Sequence, residues 1–121
     1  MKAVFDTNIL IDYLNGVEAA REELGRCTQP VISVITHIEV LVGVKSVEEE
    51  RAVRQFLGRF EIRAVDAAVA ERSVVIRREL RLKVPDAIIY ATAGVENCPL
   101  VTRNTRDFGS ERAEVRVPYQ L

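Results

Sequence analysis

The chain has 121 residues, of which 48% are hydrophobic and 29% charged, and its 17 basic and 18 acidic side chains give a formal net charge of −1. This composition excludes an intrinsically disordered chain, which would combine few hydrophobic residues with a large net charge. It also argues against non-specific coating of nucleic acid, because such binding needs an excess of lysine and arginine. We therefore expect a single domain over residues 1–121, with any nucleic-acid contact confined to a local patch.

The sequence carries no signal for a membrane or a secretory pathway. No apolar run approaches the roughly 20 residues that span a bilayer, and Asp6 interrupts the N-terminus before the apolar segment of a signal peptide could form. We expect a cytoplasmic protein without a membrane partner. Cys27 and Cys98 are distant in sequence and lack zinc-binding spacing, so we interpret both as small hydrophobic side chains.

Hydrophobic periodicity predicts strands and helices that alternate along the chain. The predicted strands cover residues 2–5, 31–34, 62–65, 99–102 and 115–117. The predicted helices cover residues 7–16, 17–26, 36–44, 46–60, 67–82 and 85–95. Since the dipeptides typical of tight hairpins are absent, the connections are crossovers, and the fold class is α/β with a mainly parallel sheet covered by helices on both faces.

Two of the predicted helices have informative apolar patterns. The helix at 36–44 is apolar nearly all round, which predicts burial on most of its sides. The helix at 46–60 begins with Ser46 and Glu49 at the spacing of a capping box. Its apolar stripe indicates a core-facing surface or a partner-binding one, and consists of Val53, Phe56, Leu57 and Phe60.

Acidic residues occur where a parallel sheet binds ligands, at the carboxyl ends of its strands. Three of the five aspartates, Asp6, Asp86 and Asp107, follow a predicted strand or open a predicted helix. Glu39 lies within the apolar helix at 36–44, where a carboxylate is costly without a partner or a cation. Four acids at one edge of the sheet favour a shared cation site, because close carboxylates repel each other.

Each acid also has a purely structural interpretation. Asp6 can cap the first helix, and Glu39 can form a capping box with Thr36. Asp86 can interact with a helix dipole, and Asp107 can stabilise a polar turn. If the four acids do share a cation, the all-oxygen ligand set favours Mg²⁺ or Mn²⁺ over Zn²⁺, which prefers paired histidines or cysteines.

Four motifs together resemble the PIN domain family, specifically its VapC toxin type. They are DTNIL at 6–10, the isolated Glu39, PDAIIYATA at 85–93 and TRNTRDF at 102–108. The resemblance covers essentially the whole chain, and it implies a three-layer α/β/α sandwich. It further implies a Mg²⁺- or Mn²⁺-dependent endoribonuclease, the toxin of a toxin–antitoxin pair, whose partners would be RNA, a VapB-like antitoxin and a second copy of itself.

The resemblance also implies roles for individual residues. The expected catalytic residues are Asp6, Glu39, Asp86 and Asp107, and three of these, Asp6, Asp86 and Asp107, are expected to hold the metal. Asn8, Thr102 and Asn104 are expected to support these carboxylates through hydrogen bonds. Water attacking the phosphodiester would leave 5′-phosphate and 3′-hydroxyl ends.

Arginines near the expected site are candidates for phosphate contact, which would add affinity and salt dependence rather than sequence choice. They are Arg77, Arg81, Arg103 and Arg106, although Arg77 and Arg81 can equally belong to a solvated helix face. The alternative function is a PIN-like module that binds RNA or a partner without cutting. A phosphate-accepting receiver domain fits less well, because Asp6 has no acidic neighbour of the kind such domains carry.

Overall fold

The computed structural model describes residues 1–104 and 114–121. Its strands are Lys2–Phe5 (β1), Gln29–Ser33 (β2), Glu61–Arg63 (β3), Leu100–Val101 (β4) and Val115–Arg116 (β5). Its helices are Thr7–Leu14 (α1), Glu18–Gly25 (α2), Val34–Val42 (α3), Val47–Leu57 (α4), Ala67–Leu80 (α5) and Val84–Glu96 (α6). The predicted order of elements is confirmed. In the part of the chain that these ranges cover, no helix is long and apolar enough to cross a membrane.

The sheet has the order β3-β2-β1-β4-β5, and all four strand pairs are parallel. Val4 in the central strand β1 pairs with Val31 of β2 on one side and with Leu100 of β4 on the other. After β1 the chain builds outward to β3 and then returns to the opposite side of β1. The gap between β1 and β4 is therefore a topological switch point, where open α/β sheets form ligand crevices.

Alternating residues of the strands pack into two separate hydrophobic cores, one on each face of the sheet. Phe5, Ile32 and Val101 are fully buried on one face of the sheet, in the cluster that also contains apolar residues of α1, α2 and α4. Val4 and Leu100 are buried on the other face, in the cluster that contains residues of α5 and α6. Because strand side chains alternate between faces, a single sheet supports helices on both sides. The predicted three-layer α/β/α sandwich is confirmed.

Helix α4 has its predicted cap, and its predicted apolar stripe faces the core, although the helix ends at Leu57 and Phe60 lies just beyond it. Ser46 is the N-cap, and its hydroxyl accepts a hydrogen bond of 3.0 Å from the backbone N–H of Glu49. The stripe of Val53, Phe56, Leu57 and Phe60 is between 2% and 7% exposed. The core interpretation of this stripe is therefore confirmed.

Helix α3 differs from its prediction in two respects. It begins at Val34 rather than 36, since Ser33 at the end of β2 caps it by accepting a 3.0 Å hydrogen bond from the backbone N–H of Ile35. The capping box of Thr36 with Glu39 is therefore wrong. The helix is also not buried on most sides, because Ile38 and Val42 are 50% and 78% exposed.

Candidate active site

Asp6 and Thr102 meet at the switch point. Asp6 follows β1 directly and Thr102 follows β4, so the parallel pairing of these two strands places both side chains at the same edge of the sheet. The Thr102 hydroxyl donates a 2.7 Å hydrogen bond to Oδ2 of Asp6. Both residues are almost completely buried. Two residues that are 96 positions apart in sequence thus form the floor of one site.

Asp6 is both a helix cap and a member of this site. Its Oδ1 accepts a 2.7 Å hydrogen bond from the backbone N–H of Thr7, and it is the N-cap of α1. Its Oδ2 accepts a second, weaker contact of 3.3 Å from Nδ2 of Asn8. The structural and functional interpretations of this residue are therefore compatible.

The ionised form of Asp6 is disfavoured in the folded chain. Burial raises its pKa, hydrogen bonds from Thr102 and from the backbone of Thr7 lower it, and the negative charges of Asp86 and Glu39 raise it again, to about 6. Two further carboxylates are thus close enough to repel Asp6. A cation among them would relieve this repulsion.

Glu39 reaches the same site from α3. Its Oε1 accepts a 2.6 Å hydrogen bond from the hydroxyl of Thr7, which also lies 3.0 Å from the hydroxyl of Thr36. The expectation of a carboxylate enclosed by apolar neighbours is wrong, because Glu39 is exposed on the side of α3 that faces away from the core. Its position is fixed by a threonine rather than by burial.

Asp86 lies in the first turn of α6, just after Pro85, and is half-buried. The structure therefore brings three of the four predicted acids, Asp6, Glu39 and Asp86, to one cleft. This cleft has a volume of about 340 Å³. Its lining consists of Asp6, Thr7, Asn8, Ile11, Glu39, Asp86, Arg103 and Asn104.

Residues 102–104 contribute one hydroxyl and two backbone N–H groups to a hydrogen-bond network beside Asp6. Asn8 accepts a 3.2 Å hydrogen bond at Oδ1 from the backbone N–H of Arg103, and its Nδ2 lies 3.3 Å from Oγ1 of Thr102. The backbone N–H of Asn104 donates to the same Thr102 oxygen at 3.0 Å. Thr102, Asn8 and Asn104 are thus parts of one network around the Asp6 carboxylate.

Arg103 lines the cleft, and its guanidinium is bound by Asp12, a residue outside the cleft lining. Nε and Nη2 donate to the two carboxylate oxygens of Asp12 at 2.7 and 2.9 Å. The hydroxyl of Tyr119 donates to Oδ2 of Asp12 at 2.8 Å. No motif in the sequence marks Asp12, Tyr119 or Thr7 as part of this arrangement. An available signal for Asp12 was its position in a largely apolar helix, four residues after Asn8 and therefore on the same face.

The remaining candidates are not brought to the cleft by the described structure. Arg77 lines a separate cavity of about 300 Å³ between α5 and α6, whose walls are largely apolar. Arg81 is the C-cap of α5, with a left-handed backbone (φ 56°). Asp107 and Arg106 lie outside the described residues.

The donor atoms of the cleft suit a hard cation. Over residues 1–104 and 114–121, no group of three histidine, cysteine, aspartate or glutamate side chains is arranged to hold a metal ion. Mg²⁺ needs fewer protein ligands, because it keeps several waters and binds through one or two carboxylates together with substrate phosphate. Asp6 and Asp86 supply such a pair, and the lining of the cleft offers oxygen ligands rather than imidazole or thiolate.

Comparisons with known proteins show the family of this chain. The sequence model of the PIN domain family matches residues 3–110. Ribonuclease VapC1 of Methanocaldococcus jannaschii is 33% identical over 112 residues, which are 88% of this chain and 79% of that protein. Ribonuclease VapC10 of Mycobacterium tuberculosis is 32% identical over 111 residues, covering 85% of this chain and 83% of that protein.

The fold also matches a solved structure closely. A toxin–antitoxin complex from Klebsiella pneumoniae contains a chain that is 45% identical to this one, with a TM-score of 0.92. The match covers 98% of this chain and 99% of that one. Structural similarity and sequence similarity therefore point to the same relatives.

Proposed function

This chain belongs to the PIN domain family, with VapC ribonucleases among its relatives. We therefore propose that it is a Mg²⁺- or Mn²⁺-dependent endoribonuclease and the toxin of a toxin–antitoxin pair. One observation carries the proposal. The switch point of the sheet holds a buried aspartate whose pKa is raised to about 6 and which two further carboxylates repel. Such a site is costly to a protein that has no cation to place there.

Asp6 and Asp86 would hold the metal, together with Asp107 as the family pattern implies. When bound, the ion neutralises charge on the scissile phosphate and lowers the pKa of water. Asp6 is prepared for this role, because both of its carboxylate oxygens already accept hydrogen bonds that fix its orientation. The backbone N–H of Thr7 donates to Oδ1 and the hydroxyl of Thr102 donates to Oδ2, so each carboxylate oxygen has its own donor.

Glu39 acts on the attacking water. Its carboxylate is exposed to the cleft and is held by the Thr7 hydroxyl at 2.6 Å, so one oxygen is fixed while the other can accept a hydrogen bond. Glu39 orients the water and takes its proton as the new P–O bond forms. The 3′ oxygen then leaves and is protonated by solvent, which yields 5′-phosphate and 3′-hydroxyl ends. The ribose 2′-hydroxyl takes no part, so this chemistry alone does not distinguish RNA from DNA.

Basic side chains position the phosphate backbone of the substrate. Arg103 is the best placed of the described candidates, because it lines the cleft itself. Arg106 follows in the same motif, while Arg77 and Arg81 at the end of α5 would contact more distant phosphates.

A VapB-like antitoxin occupies a groove of mixed apolar and polar lining beside the cleft. The groove has a volume of about 360 Å³ and runs between α1, α3 and α4. Ile11 lines both the groove and the acidic cleft, so a partner seated in the groove reaches the carboxylates. Ile11 and Leu14 are 37% and 38% exposed without such a partner. The relative from Klebsiella pneumoniae is itself described as a toxin–antitoxin complex.

A second copy of the chain covers the outer face of α5 and the start of α6. Val74, Val75 and Val84 are 44%, 45% and 57% exposed there, beside the apolar cavity between the two helices. This face is formed by different helices from the antitoxin groove, so a homodimer and an antitoxin complex are compatible.

The proposal is tested by incubating the purified, partner-free chain with total cellular RNA and Mn²⁺ and mapping new 5′-phosphate ends. Asp86→Asn removes one metal-binding carboxylate, and we expect it to abolish discrete cleavage. Asp66→Asn is the matched control, since Asp66 also sits at a helix N-terminus, where it caps α5. Wild-type cleavage that survives in Asp86→Asn would overturn the site assignment. If no new 5′-phosphate ends form with any variant or metal, the result would favour the alternative function, a module that binds without cutting.

A further inference from the structure

Helix α1 holds Arg103 at two points. Asn8 accepts a hydrogen bond from the backbone N–H of Arg103, and Asp12 binds its guanidinium through two parallel contacts of 2.7 and 2.9 Å. Asn8 and Asp12 are four residues apart on one helix, so they lie on the same face. The backbone and the side chain of a single arginine are therefore fixed by one rigid element.

This double attachment controls the residues that surround the catalytic carboxylate. Thr102 donates to Oδ2 of Asp6, and the backbone N–H of Asn104 donates to Thr102. Arg103 lies between these two residues, so any displacement of Arg103 moves both neighbours. A line of contacts thus runs from Asp12 through Arg103 and Thr102 to Asp6.

Tyr119 adds the C-terminal end of the chain to this arrangement. Its hydroxyl donates to Asp12 at 2.8 Å, and its ring packs partly buried against the same core as α1. Asp12 is 4% exposed, although it lies outside the lining of the acidic cleft. Burial raises the pKa of Asp12, but hydrogen bonds from Arg103 and Tyr119 outweigh this effect and lower it overall. Asp12 is therefore ionised, and its charge is matched by Arg103.

We propose that Asp12 and Tyr119 are positioning residues for the metal-binding carboxylate Asp6, acting through Arg103 and the segment 102–104. The inference rests on the proposed function, because it assumes that Asp6 binds a divalent metal. Hydrogen-bonded residues around metal ligands typically change metal affinity or activity by about 10- to 100-fold when mutated. Asp12 is one contact further out, so the lower end of this range is expected.

The test compares Asp12→Asn with a matched control at Glu23. Glu23 is also a buried carboxylate, 3% exposed, that binds an arginine from the C-terminal part of the chain. It accepts hydrogen bonds from Nε and Nη2 of Arg116 at 2.6 and 3.0 Å, and from Nη1 of Arg26 at 2.8 Å. Glu23 lies on α2 and does not line the cleft. Glu23→Gln therefore reproduces the loss of a buried ion pair without touching Arg103.

Four quantities are measured for each variant: the Mn²⁺ dissociation constant by calorimetry, the thermal midpoint without metal, and kcat and KM for cleavage. We expect Asp12→Asn to weaken Mn²⁺ binding about tenfold and to lower kcat with little change in KM. Glu23→Gln is expected to lower the thermal midpoint to a similar extent and to leave Mn²⁺ affinity unchanged. Tyr119→Phe keeps the ring and removes one hydrogen bond, so it remains folded and shows a smaller weakening of the same sign.

Different results would contradict the positioning role of Asp12 and Tyr119 and the proposed ribonuclease function. Wild-type Mn²⁺ affinity in both Asp12→Asn and Tyr119→Phe would overturn the positioning role, as would an equal loss in Glu23→Gln. A rise in KM with unchanged kcat would overturn it too, since it would assign Arg103 to phosphate contact alone. Wild-type protein that binds Mn²⁺ but cuts no RNA would contradict the proposed function, while the Mn²⁺ affinities of the variants would still decide the positioning role.

Discussion

Asp6 has to satisfy two opposed requirements with one carboxylate. Its hydrogen bonds to Thr7 and Thr102 favour the charged form, whereas burial and the nearby carboxylates favour the protonated form. The second group of effects dominates, since the pKa is raised from its ordinary value of 3.8 to about 6. In the folded chain without metal, Asp6 is therefore a source of instability, which a divalent cation bound beside it would remove.

This conflict predicts the effect of Asp6→Asn on stability. Because the folded pKa is raised, the native chain binds more protons than the unfolded chain between about pH 4 and pH 6. The stability of the wild type therefore falls as the pH rises through this window, by roughly 3 kcal/mol in total. Asn carries no charge and keeps the helix cap. At pH 7.5 we expect metal-free Asp6→Asn to have a higher free energy of unfolding than the wild type. The altered hydrogen bond to Thr102 reduces this gain by about 1 kcal/mol.

Urea unfolding in EDTA at pH 7.5 and pH 4 measures this difference. The advantage of Asp6→Asn should disappear at pH 4, where the wild-type carboxylate is largely protonated, and Asp66→Asn should match the wild type at both values. A variant that is less stable than the wild type at pH 7.5 would contradict the account of Asp6. So would Mn²⁺ stabilising the wild type and Asp6→Asn equally.

Single residues differed in how far the sequence could reveal them. Asp6 and Asp86 could be predicted because each stands next to the start of a helix whose pattern is visible locally. Thr7 could not, since its importance depends on Glu39, which is 32 residues away and reaches it only after α3 packs beside α1. The same holds for Asp12, whose partners lie 91 and 107 residues further along the chain.

Helix boundaries were predicted well where the capping residue stands outside the preceding element. Ser46 precedes its helix after a break in the hydrophobic pattern, and it caps as predicted. Asp66 likewise stands just before the helix predicted from residue 67, and it caps that helix. Ser33 instead belongs to the β-branched run of β2, so the pattern predicts only a strand there and places the start of α3 two residues too late. The exposure of Ile38 and Val42 was also not predictable, because an apolar pattern does not distinguish a buried surface from one that awaits a partner.

The exposed valines of α5, Val74 and Val75, predict that this helix forms the dimer interface. Val74→Asp places a charge in the centre of this face, where pairing with a second copy would bury it without compensation. By light scattering at micromolar concentration, we expect the wild type to be a dimer and the variant to be a monomer. Val47→Asp is the control, because Val47 is 71% exposed on α4, on a different helix. If Val74→Asp is still a dimer, the interface lies elsewhere on the chain. A monomeric wild type would exclude a homodimer at this concentration.

At the scale of the whole molecule, the strand order creates the site. β1 lies between β2 and β4, so the carboxyl ends of β1 and β4 bring Asp6 next to Thr102. The parallel sheet was predictable from the alternation of strands and helices, but the order of its strands was not, because crossovers of similar length can return to either side of β1. The acidic residues themselves were the stronger guide, since a shared cation requires them to converge.

The most direct test of the central claim is the chemistry of the ends that the wild-type chain produces. Partner-free protein is incubated with RNA in Mn²⁺, and the products are analysed by mass spectrometry, with an EDTA-treated sample as the control. Hydrolysis by water predicts 5′-phosphate and 3′-hydroxyl ends that form only when the metal is present. Ends carrying a 2′,3′-cyclic phosphate, or cleavage that persists in EDTA, would contradict the assignment of Asp6, Glu39 and Asp86 as a metal-dependent nuclease site.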